Sequence, residues 1–439
     1  MFKTLRNAWS LPDLRKKLIF TVIILLLYSL IGVVPVPFVD SEVMSEFFGT
    51  EMQNTIFGLY NMMSGSAFSQ ATVLALGIQP YINASIIIQL LTVAIPALER
   101  MAKEEGEAGK KKIERITRYT TVGLGMLLGF GAYTIISNAE FMNPNTGAVE
   151  TVMRQTGPLQ AIVVILTFTA GSCIVMWMGE QINEHGIGNG ISVILFANIV
   201  GGFPSMIGYL TEDSLFKWWQ AVIIAVVALL LVVFIVFVND AERRIPIQYA
   251  KRVVGRKVYG GQSTNLPIKV SMSGVMPVIF AQSIVSVPAT ICTFLENAGV
   301  ENATKGWFYE NVFSPTGWVY IVLYGLLIFF FSWFYSTIQY DPVEISNNLK
   351  KNGGFIPGFR PGKPTADFIK KVINKILVFG AVYLTIVSLL PMIGTMIWEE
   401  MSYLAIGGTS VIIVVGVALE TVKSLEAQMM MRHYKGFLD

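Results

Sequence analysis

Ten apolar segments that contain no Asp, Glu, Lys, Arg or His constrain the fold of this 439-residue chain more than any other feature. Each approaches the roughly 20 residues that an α-helix needs to cross about 30 Å of hydrocarbon. Lipid offers the backbone no hydrogen-bonding partner, and these segments lack the alternation of barrel strands, so we expect membrane-spanning helices. The segments are residues 18–36, 75–95, 119–137, 158–179, 187–208, 218–239, 273–295, 316–338, 376–397 and 402–419.

The composition argues against a soluble enzyme. Charged residues make up only 14% of the chain, whereas soluble domains average roughly 25%. Cys173 and Cys292 fall inside apolar segments without disulfide or metal-ligand spacing, and the two histidines lie outside the segments. Catalytic and nucleotide-binding motifs are absent from the sequence, so we expect no enzymatic activity, no cofactor and no metal site. The first apolar segment is too long for a signal-peptide core and lacks a cleavage pattern, which predicts a retained span.

The distribution of basic residues predicts the orientation. If successive loops alternate between the two sides, all but three of the 32 Lys and Arg residues fall on the side of the two termini. The exceptions are Arg154, Lys217 and Lys305, and residues 37–72 on the same opposite side contain carboxylates but no basic residue. By the positive-inside rule, both termini are cytoplasmic.

Ten spans divide into two halves of five, residues 1–215 and 216–439. Because five is odd, the second half crosses in the opposite sense, as in an inverted repeat whose functional site lies between the halves at interrupted helices. Segments 2 and 5 of each half look interrupted: 75–95 and 273–295 contain prolines, and 187–208 and 402–419 are rich in glycine. Gly and Pro are also common in ordinary membrane helices, so the matched placement is what favours a central pathway.

The predicted pathway is apolar. A coupled transporter usually needs an ionisable group in mid-membrane, and these segments offer only amides and hydroxyls: Asn83, Gln89, Asn198, Gln282 and Thr409. Aliphatic residues at helical spacing lie on the four interrupted segments: Ile78 and Ile82, Ile191 and Leu195, Ile279, and Ile413. A narrow aliphatic ring excludes water and ions yet binds no permeant, so it could pass a bulky, chemically varied chain. The alternatives are ordinary core or lipid-facing isoleucines, or a secondary transporter of a neutral small solute.

Long motifs in the sequence resemble the SecY family of bacterial protein-secretion channels. They are "GIQPYINASIIIQLL", "GEQINEHGIGNGISVILFANI", "RRIPIQYAKRVVGRKVYGGQSTNLPIKVSMSGVMPVIFA", "NNLKKNGGFIPGFRPGKPTADFI" and "IGGTSVIIVV". The resemblance runs from about Met1 to Tyr434. It implies an all-α polytopic fold with ten transmembrane helices in two inverted halves around an hourglass pore. The implied function is to pass unfolded secretory polypeptides and to release transmembrane segments sideways into the bacterial cytoplasmic membrane.

The resemblance assigns a pore ring and a plug. The family's ring falls on Ile78, Ile82, Ile191, Leu195, Ile279 and Ile413, where Leu195 replaces the more usual isoleucine without changing size or polarity. The plug, a short helix that caps the pore from outside, falls on about residues 55–68 and includes Ile56, Leu59, Met63, Gly65 and Phe68. From its length alone, this stretch is only a re-entrant or interfacial segment.

The family's lateral gate lies between spans 2 and 7, flanked by spans 3 and 8. It places Asn83, Ile86 and Leu90 opposite Ser283 and Val287. We interpret the amides in the second span as a loss of lipid affinity that the gate requires, because an interface between helices that must open should not be uniformly apolar. Our hypothesis is that Asn83 and Gln89 form weak interhelical hydrogen bonds, worth roughly 0.6 kcal/mol each, that keep the gate closed.

Two basic cytoplasmic loops, at about residues 240–272 and 339–375, are the expected docking sites. The positive-inside rule alone accounts for much of their charge. Arg360, between Pro357 and Pro361 with neighbouring glycines, indicates a stiff turn. The resemblance implies that Arg256, Lys257, Lys350, Lys351 and Arg360 contact the SecA ATPase or the ribosome, whose RNA offers phosphates. It also implies SecE as a clamp around both halves and SecG as a peripheral subunit.

Overall fold

The computed structural model describes residues 2–49, 58, 61, 63–103, 105–142, 149–204, 207–208, 217–249, 252–254, 257–259, 263–271, 274–297, 307, 309–314, 317–398 and 408–435. The first half contains α1 (Phe2–Ser10), α2 (Pro12–Ile31), α3 (Ser41–Phe47), α4 (Gln79–Ala94), α5 (Pro96–Lys103), α6 (Gly106–Asn138), β1 (Glu140–Met142), β2 (Val149–Thr151), α7 (Pro158–His185) and α8 (Gly190–Gly201).

The second half begins with α9 (Trp218–Asp240) and a set of short strands. The elements are β3 (Glu242–Tyr249), β4 (Arg252–Val254), β5 (Lys257–Tyr259), β6 (Ser263–Lys269), α10 (Met276–Asn297), a π-helical turn at Tyr309–Phe313, α11 (Trp318–Gln339), α12 (Pro342–Lys351), β7 (Gly354–Phe355), α13 (Lys363–Ile397) and α14 (Gly408–Lys435).

Each apolar segment of the sequence overlaps a helix, and within the described residues strands occur only in the loops. By length and composition, five helices in the described residues can cross a membrane, or six if the α4–α5 pair counts as one span. The chain is therefore a multi-pass membrane protein, and the number of ten spans stays a prediction. Trp218, Leu229 and Phe237 of α9 are among many large apolar side chains that the fold leaves exposed, as a lipid-facing surface requires.

The interrupted segments form late-starting or short helices. α4 has 16 residues and α8 only 12, both shorter than a full span. Before α4, Gly77 adopts a φ of +52°, a conformation that favours glycine, and this turns the chain into the helix. In α10, Pro277 lies in the first turn, where its missing N–H costs no helical hydrogen bond, whereas Pro288 lies inside the helix.

A sharp bend follows α4. α4 and α5 meet at 105° across a single residue, Ile95, which is extended because Pro96 follows it. α5 then returns the chain to α6, against which both α4 and α5 pack. The apolar segment 75–95 predicts a span but gives no sign of this bend.

The two sequence halves share one apolar core. α14, the last helix, packs against α8 and α1 of the first half, and α10 packs against α6. The largest cluster of buried apolar side chains, here called the central cluster, contains Tyr28, Leu195, Ile235, Ile279 and Ile413 and so spans both halves. The boundary between the halves at residues 215 and 216 lies outside the described residues and stays a proposal.

An outer cap covers the side opposite the termini. It consists of α3 and the antiparallel β1–β2 pair, which the sequence leaves as loops. Val39 forms an isolated bridge with Met153, and the Asp40 carboxylate pairs with the Arg154 guanidinium at 2.8 Å. That hydrogen bond is the main reason why the pKa of Asp40 lies below its ordinary value. A second apolar cluster, the outer cluster, includes Val36, Phe48, Phe68 and Phe168.

A small sheet organises the two loops that are predicted to be cytoplasmic. β3 lies between β6 and β7 in antiparallel pairing, so the loop after α9 and the loop after α11 share one sheet. Ile245 and Ile247 alternate inward from β3 and form a separate apolar cluster with Leu349 of α12 and Ile369 of α13. We call this unit the cytoplasmic sheet body.

Candidate functional site

Five of the six aliphatic residues predicted to form the pore ring lie together in the central cluster. They are Ile78, Ile82, Leu195, Ile279 and Ile413, with between 1% and 8% of their surface exposed. The sixth, Ile191, is half-buried and packs against the same cluster. Four separate helices, α4, α8, α10 and α14, therefore bring these side chains to one place.

Local sequence explains the placement on the two short helices. Ile78 immediately precedes α4, and the Ile82 amide donates to its carbonyl at 3.0 Å, so their side chains lie one turn apart. At α8, the Asn189 side chain accepts from the Ile191 and Ser192 amides and caps the helix. This cap fixes the start of the helix that carries Ile191 and Leu195.

The end of the predicted plug segment lies between the two apolar clusters. Met63 belongs to the central cluster, and Phe68 belongs to the outer cluster, where its ring meets that of Phe48 edge-on at 6.0 Å. Gly65 between them has a φ of +68°. The predicted plug residues Ile56 and Leu59 lie outside the described residues.

Polar side chains of the neighbouring helices bind this segment. Gln79 of α4 donates to the Met63 sulfur at 2.8 Å, and Asn198 of α8 donates to the Met63 carbonyl at 2.8 Å. Both amides were visible in the sequence as polar residues in apolar segments. Their partners were not predictable, because they depend on how residues 63–68 fold back against α4 and α8.

The predicted lateral-gate residues differ in their surroundings. Ile86 is buried in the central cluster, and Leu90 packs against it, whereas Asn83 and Ser283 are half-buried. Val287 is 49% exposed and lies at the surface of the molecule, outside the central cluster.

The two helices of the predicted gate make little direct contact within the described residues. α4 packs chiefly on α6, and α10 packs on α11 and α6. Gln89 of α4 lies within hydrogen-bonding reach of the Tyr335 hydroxyl of α11, a pair that the sequence did not suggest. In contrast, Asn83 Oδ1 and Gln282 Nε2 are buried, and neither has a hydrogen-bond partner among the described residues.

On the side predicted to be cytoplasmic, Arg360 is exposed on a turn whose backbone is fixed. The Arg360 carbonyl accepts from the Thr365 hydroxyl at 2.8 Å, and the Ser346 hydroxyl donates to the Gly362 carbonyl at 2.8 Å. Gly358 and Gly362 adopt φ values of +87° and +108°, which only glycine accepts readily. The turn therefore presents the guanidinium from a rigid base.

The other predicted docking residues lie on different elements of the chain. Lys350 and Lys351 are exposed in the last turn of α12, where cations complement the helix dipole. Lys257 begins β5 and pairs with Val254 of β4. Arg256 lies outside the described residues. Among the residues that the structure describes, no group of three or more His, Cys, Asp or Glu could hold a metal ion.

Comparisons with known proteins agree on one family. The SecY family profile matches residues 72–422. The chain is 43% identical to the protein translocase subunit SecY of Streptomyces galbus, covering all of both chains. It is 40% identical to the subunit of the same name from Thermotoga maritima, with 100% of this chain and 98% of the relative covered.

Solved structures share the fold at low identity. A protein-conducting channel is similar with a TM-score of 0.64 and 18% identity, covering 94% of this chain and 92% of the other. Sec61 in a canine ribosome–channel complex from the endoplasmic reticulum gives a TM-score of 0.63 at 18% identity, with the same coverage. The match over most of the chain, together with relatives above 40% identity over their full length, shows that the chain belongs to the SecY family.

Proposed function

We propose that this chain is the channel subunit of a protein translocase, which passes unfolded polypeptides between its two halves. The observation that carries the proposal is the convergence of aliphatic side chains from α4, α8, α10 and α14 in one buried cluster. In the closed state these side chains exclude water and ions, because a narrow apolar constriction does not stay hydrated. They offer no hydrogen bond to a passing chain, so side chains of different chemistry can pass.

The plug is the second part of the proposed seal. Residues 55–68 would close the outer side of the ring, with Met63 anchored in the central cluster and Phe68 in the outer cluster. An entering polypeptide would displace this segment. The segment could then return to the same two clusters once the polypeptide has left.

The proposed lateral gate lies between α4 and α10. The limited direct contact between α4 and α10 supports an interface that can open. The Gln89–Tyr335 pair supports a weak polar contact from α4 to α11 across this interface. Apolar signal or transmembrane segments would leave through this interface into lipid. Asn83, which we expected to fasten the gate as well, has no described partner for its Oδ1 atom.

The cytoplasmic sheet body is the proposed docking surface. Arg360, Lys350 and Lys351 are exposed cations in the segments that form it. They could bind acidic side chains of the SecA ATPase or phosphates of ribosomal RNA. We infer that such partners supply the driving force, that SecE and SecG complete the complex, and that the chain itself is not an enzyme. The positive-inside pattern supports a bacterial cytoplasmic membrane protein with both termini in the cytoplasm.

Crosslinking of a stalled secretory precursor tests the pathway. Ile82→Cys and Ile279→Cys, each in a chain whose Cys173 and Cys292 are replaced by serine, should both crosslink to a cysteine in the precursor. Matched controls are Ile162→Cys and Leu230→Cys, on exposed faces of α7 and α9. Crosslinks to the controls but not to the ring positions would refute the pathway, and saturable uptake of a small solute would favour a transporter instead.

A further inference from the structure

A buried amide lies on the same face of α8 as the ring residues. Asn198 follows Leu195 by three residues and Ile191 by seven, so all three project from one side of the helix. It is only 7% exposed and is surrounded by the apolar central cluster. A polar side chain in such a place is costly unless its hydrogen-bonding groups are satisfied.

Both amide hydrogens of Asn198 are used, and they join three parts of the chain. Nδ2 donates to the Tyr28 hydroxyl of α2 at 2.9 Å and to the Met63 carbonyl at 2.8 Å. Tyr28 and Met63 are themselves buried. The amide therefore ties the end of the predicted plug segment to two helices of the first half, α2 and α8.

The chain at residue 65 is shaped to approach this amide. Gly65 has a φ of +68°, and a Cβ at this position would lie 3.1 Å from Asn198 Oδ1 and 3.5 Å from Asn198 Cβ. A side chain would push the segment away from α8, so glycine permits the close contact. On its other side, Met63 is held by Gln79, and Ala67 joins the central cluster.

These contacts make the hydrogen bond from Asn198 to the Met63 carbonyl sensitive to water. While the ring is dry, moving Met63 away leaves a buried amide hydrogen of Asn198 and the Met63 carbonyl unpaired, which is unfavourable. Once water or the backbone of a polypeptide enters the ring, it can replace both partners, and the penalty for moving the segment disappears.

We propose that Asn198 is a positioning residue that holds the plug segment closed as long as the ring is dry and releases it when the ring is filled. This inference rests on the proposed plug and ring. It adds a specific device: a hydrogen-bonded latch whose strength depends on the hydration of the pore.

The test measures ion release from vesicles that contain the full complex without substrate. Asn198→Leu removes both hydrogen bonds at similar volume and should raise the resting ion leak about fivefold. Tyr28→Phe removes one acceptor and should raise the leak less, about twofold. The control is Thr121→Val on α6, whose buried hydroxyl donates only to the carbonyl of Thr117 in its own helix, so the leak should not change.

A redox-controlled variant separates the latch from general damage to the fold. Gly65→Cys with Asn198→Cys, in the chain without Cys173 and Cys292, places two Cβ atoms about 3.5 Å apart, within the range of a disulfide. When oxidised, this variant should seal as well as the wild type and block transport. When reduced, it should leak like Asn198→Leu and regain transport.

Each outcome has a distinct meaning. A reduced double variant and an Asn198→Leu variant that both seal like the wild type would overturn the latch, while precursor crosslinks at Ile82 and Ile279 would still support the channel. An oxidised variant that leaks as much as the reduced form would also overturn it, because the closed segment would then not seal the pore.

Discussion

Replacing Asn83 or Gln89 of α4 by leucine should shift the lateral gate in opposite directions. Gln89 reaches Tyr335 of α11 across the proposed gate, whereas Asn83 Oδ1 is buried without a described partner. Gln89→Leu therefore removes a polar contact that favours the closed gate. Asn83→Leu removes an unsatisfied polar atom that disfavours the closed gate, since an open gate exposes Asn83 to water or to the passing segment.

The expected magnitudes follow from these surroundings. Loss of one interhelical hydrogen bond costs about 0.6 kcal/mol, so Gln89→Leu should favour opening about threefold. Removing an unsatisfied buried oxygen is worth about 1 kcal/mol, at the low end of the usual range because Asn83 is only half-buried. Asn83→Leu should then favour the closed gate about fivefold.

A marginally apolar test segment makes the ratio of open to closed gates measurable. If the wild-type channel releases half of the segment into the membrane, as scored by protease protection, Gln89→Leu should release about three quarters and Asn83→Leu about one sixth. The control is Thr92→Val, which removes a hydroxyl that donates only within α4, to the Ile88 carbonyl. If both leucine variants shift release in the same direction, or if neither shifts it, the account of the gate is wrong.

Three further perturbations address the docking surface, the ring and the outer cap. Arg360→Glu should lower precursor transport about tenfold or more, because a like charge would face the partner's anion. Assembly of the complex, measured by affinity purification, should stay normal. An equal loss of transport in Lys363→Glu would mean that only net charge matters. Ile82→Asn should raise the resting ion conductance of vesicles severalfold, since a polar group hydrates the ring; an unchanged conductance would exclude this position from the seal. The lowered pKa of Asp40 means that its pairing with Arg154 stabilises the fold above the ordinary Asp pKa of about 3.9 and is lost as the pH falls through the lowered value. The melting temperature should therefore be lower in Arg154→Gln at neutral pH and should converge with that of the wild type once the pH falls below the lowered pKa of Asp40; a constant difference would assign the effect to packing.

The helices and the common face of the aliphatic residues on two of them could be predicted from sequence because both depend on local patterns. Uncharged segments of membrane length fix the helices, and the spacing of Ile78 with Ile82 and of Ile191 with Leu195 fixes a common face on each helix. Packing between helices buries five of the six ring residues in one cluster. For that step the resemblance to the family supplied the expectation.

The remaining features depend on contacts between distant residues. The outer cap contains a helix and a strand pair in stretches whose polar composition predicts only loops. The 105° bend after α4 requires both Pro96 and the packing of α5 on α6. The hydrogen bonds of Asn198 to Tyr28 and Met63 join residues 170 and 135 positions apart, a distance at which local patterns carry no information.

The cytoplasmic sheet body has a mechanical consequence. β3 joins the two basic loops, and its apolar residues pack on α13, which runs for 35 residues from Lys363 to Ile397 with Pro391 inside it. A force applied to either loop would therefore act on both, and the packing of β3 on α13 would pass it to that helix. The two loops would then move together rather than independently.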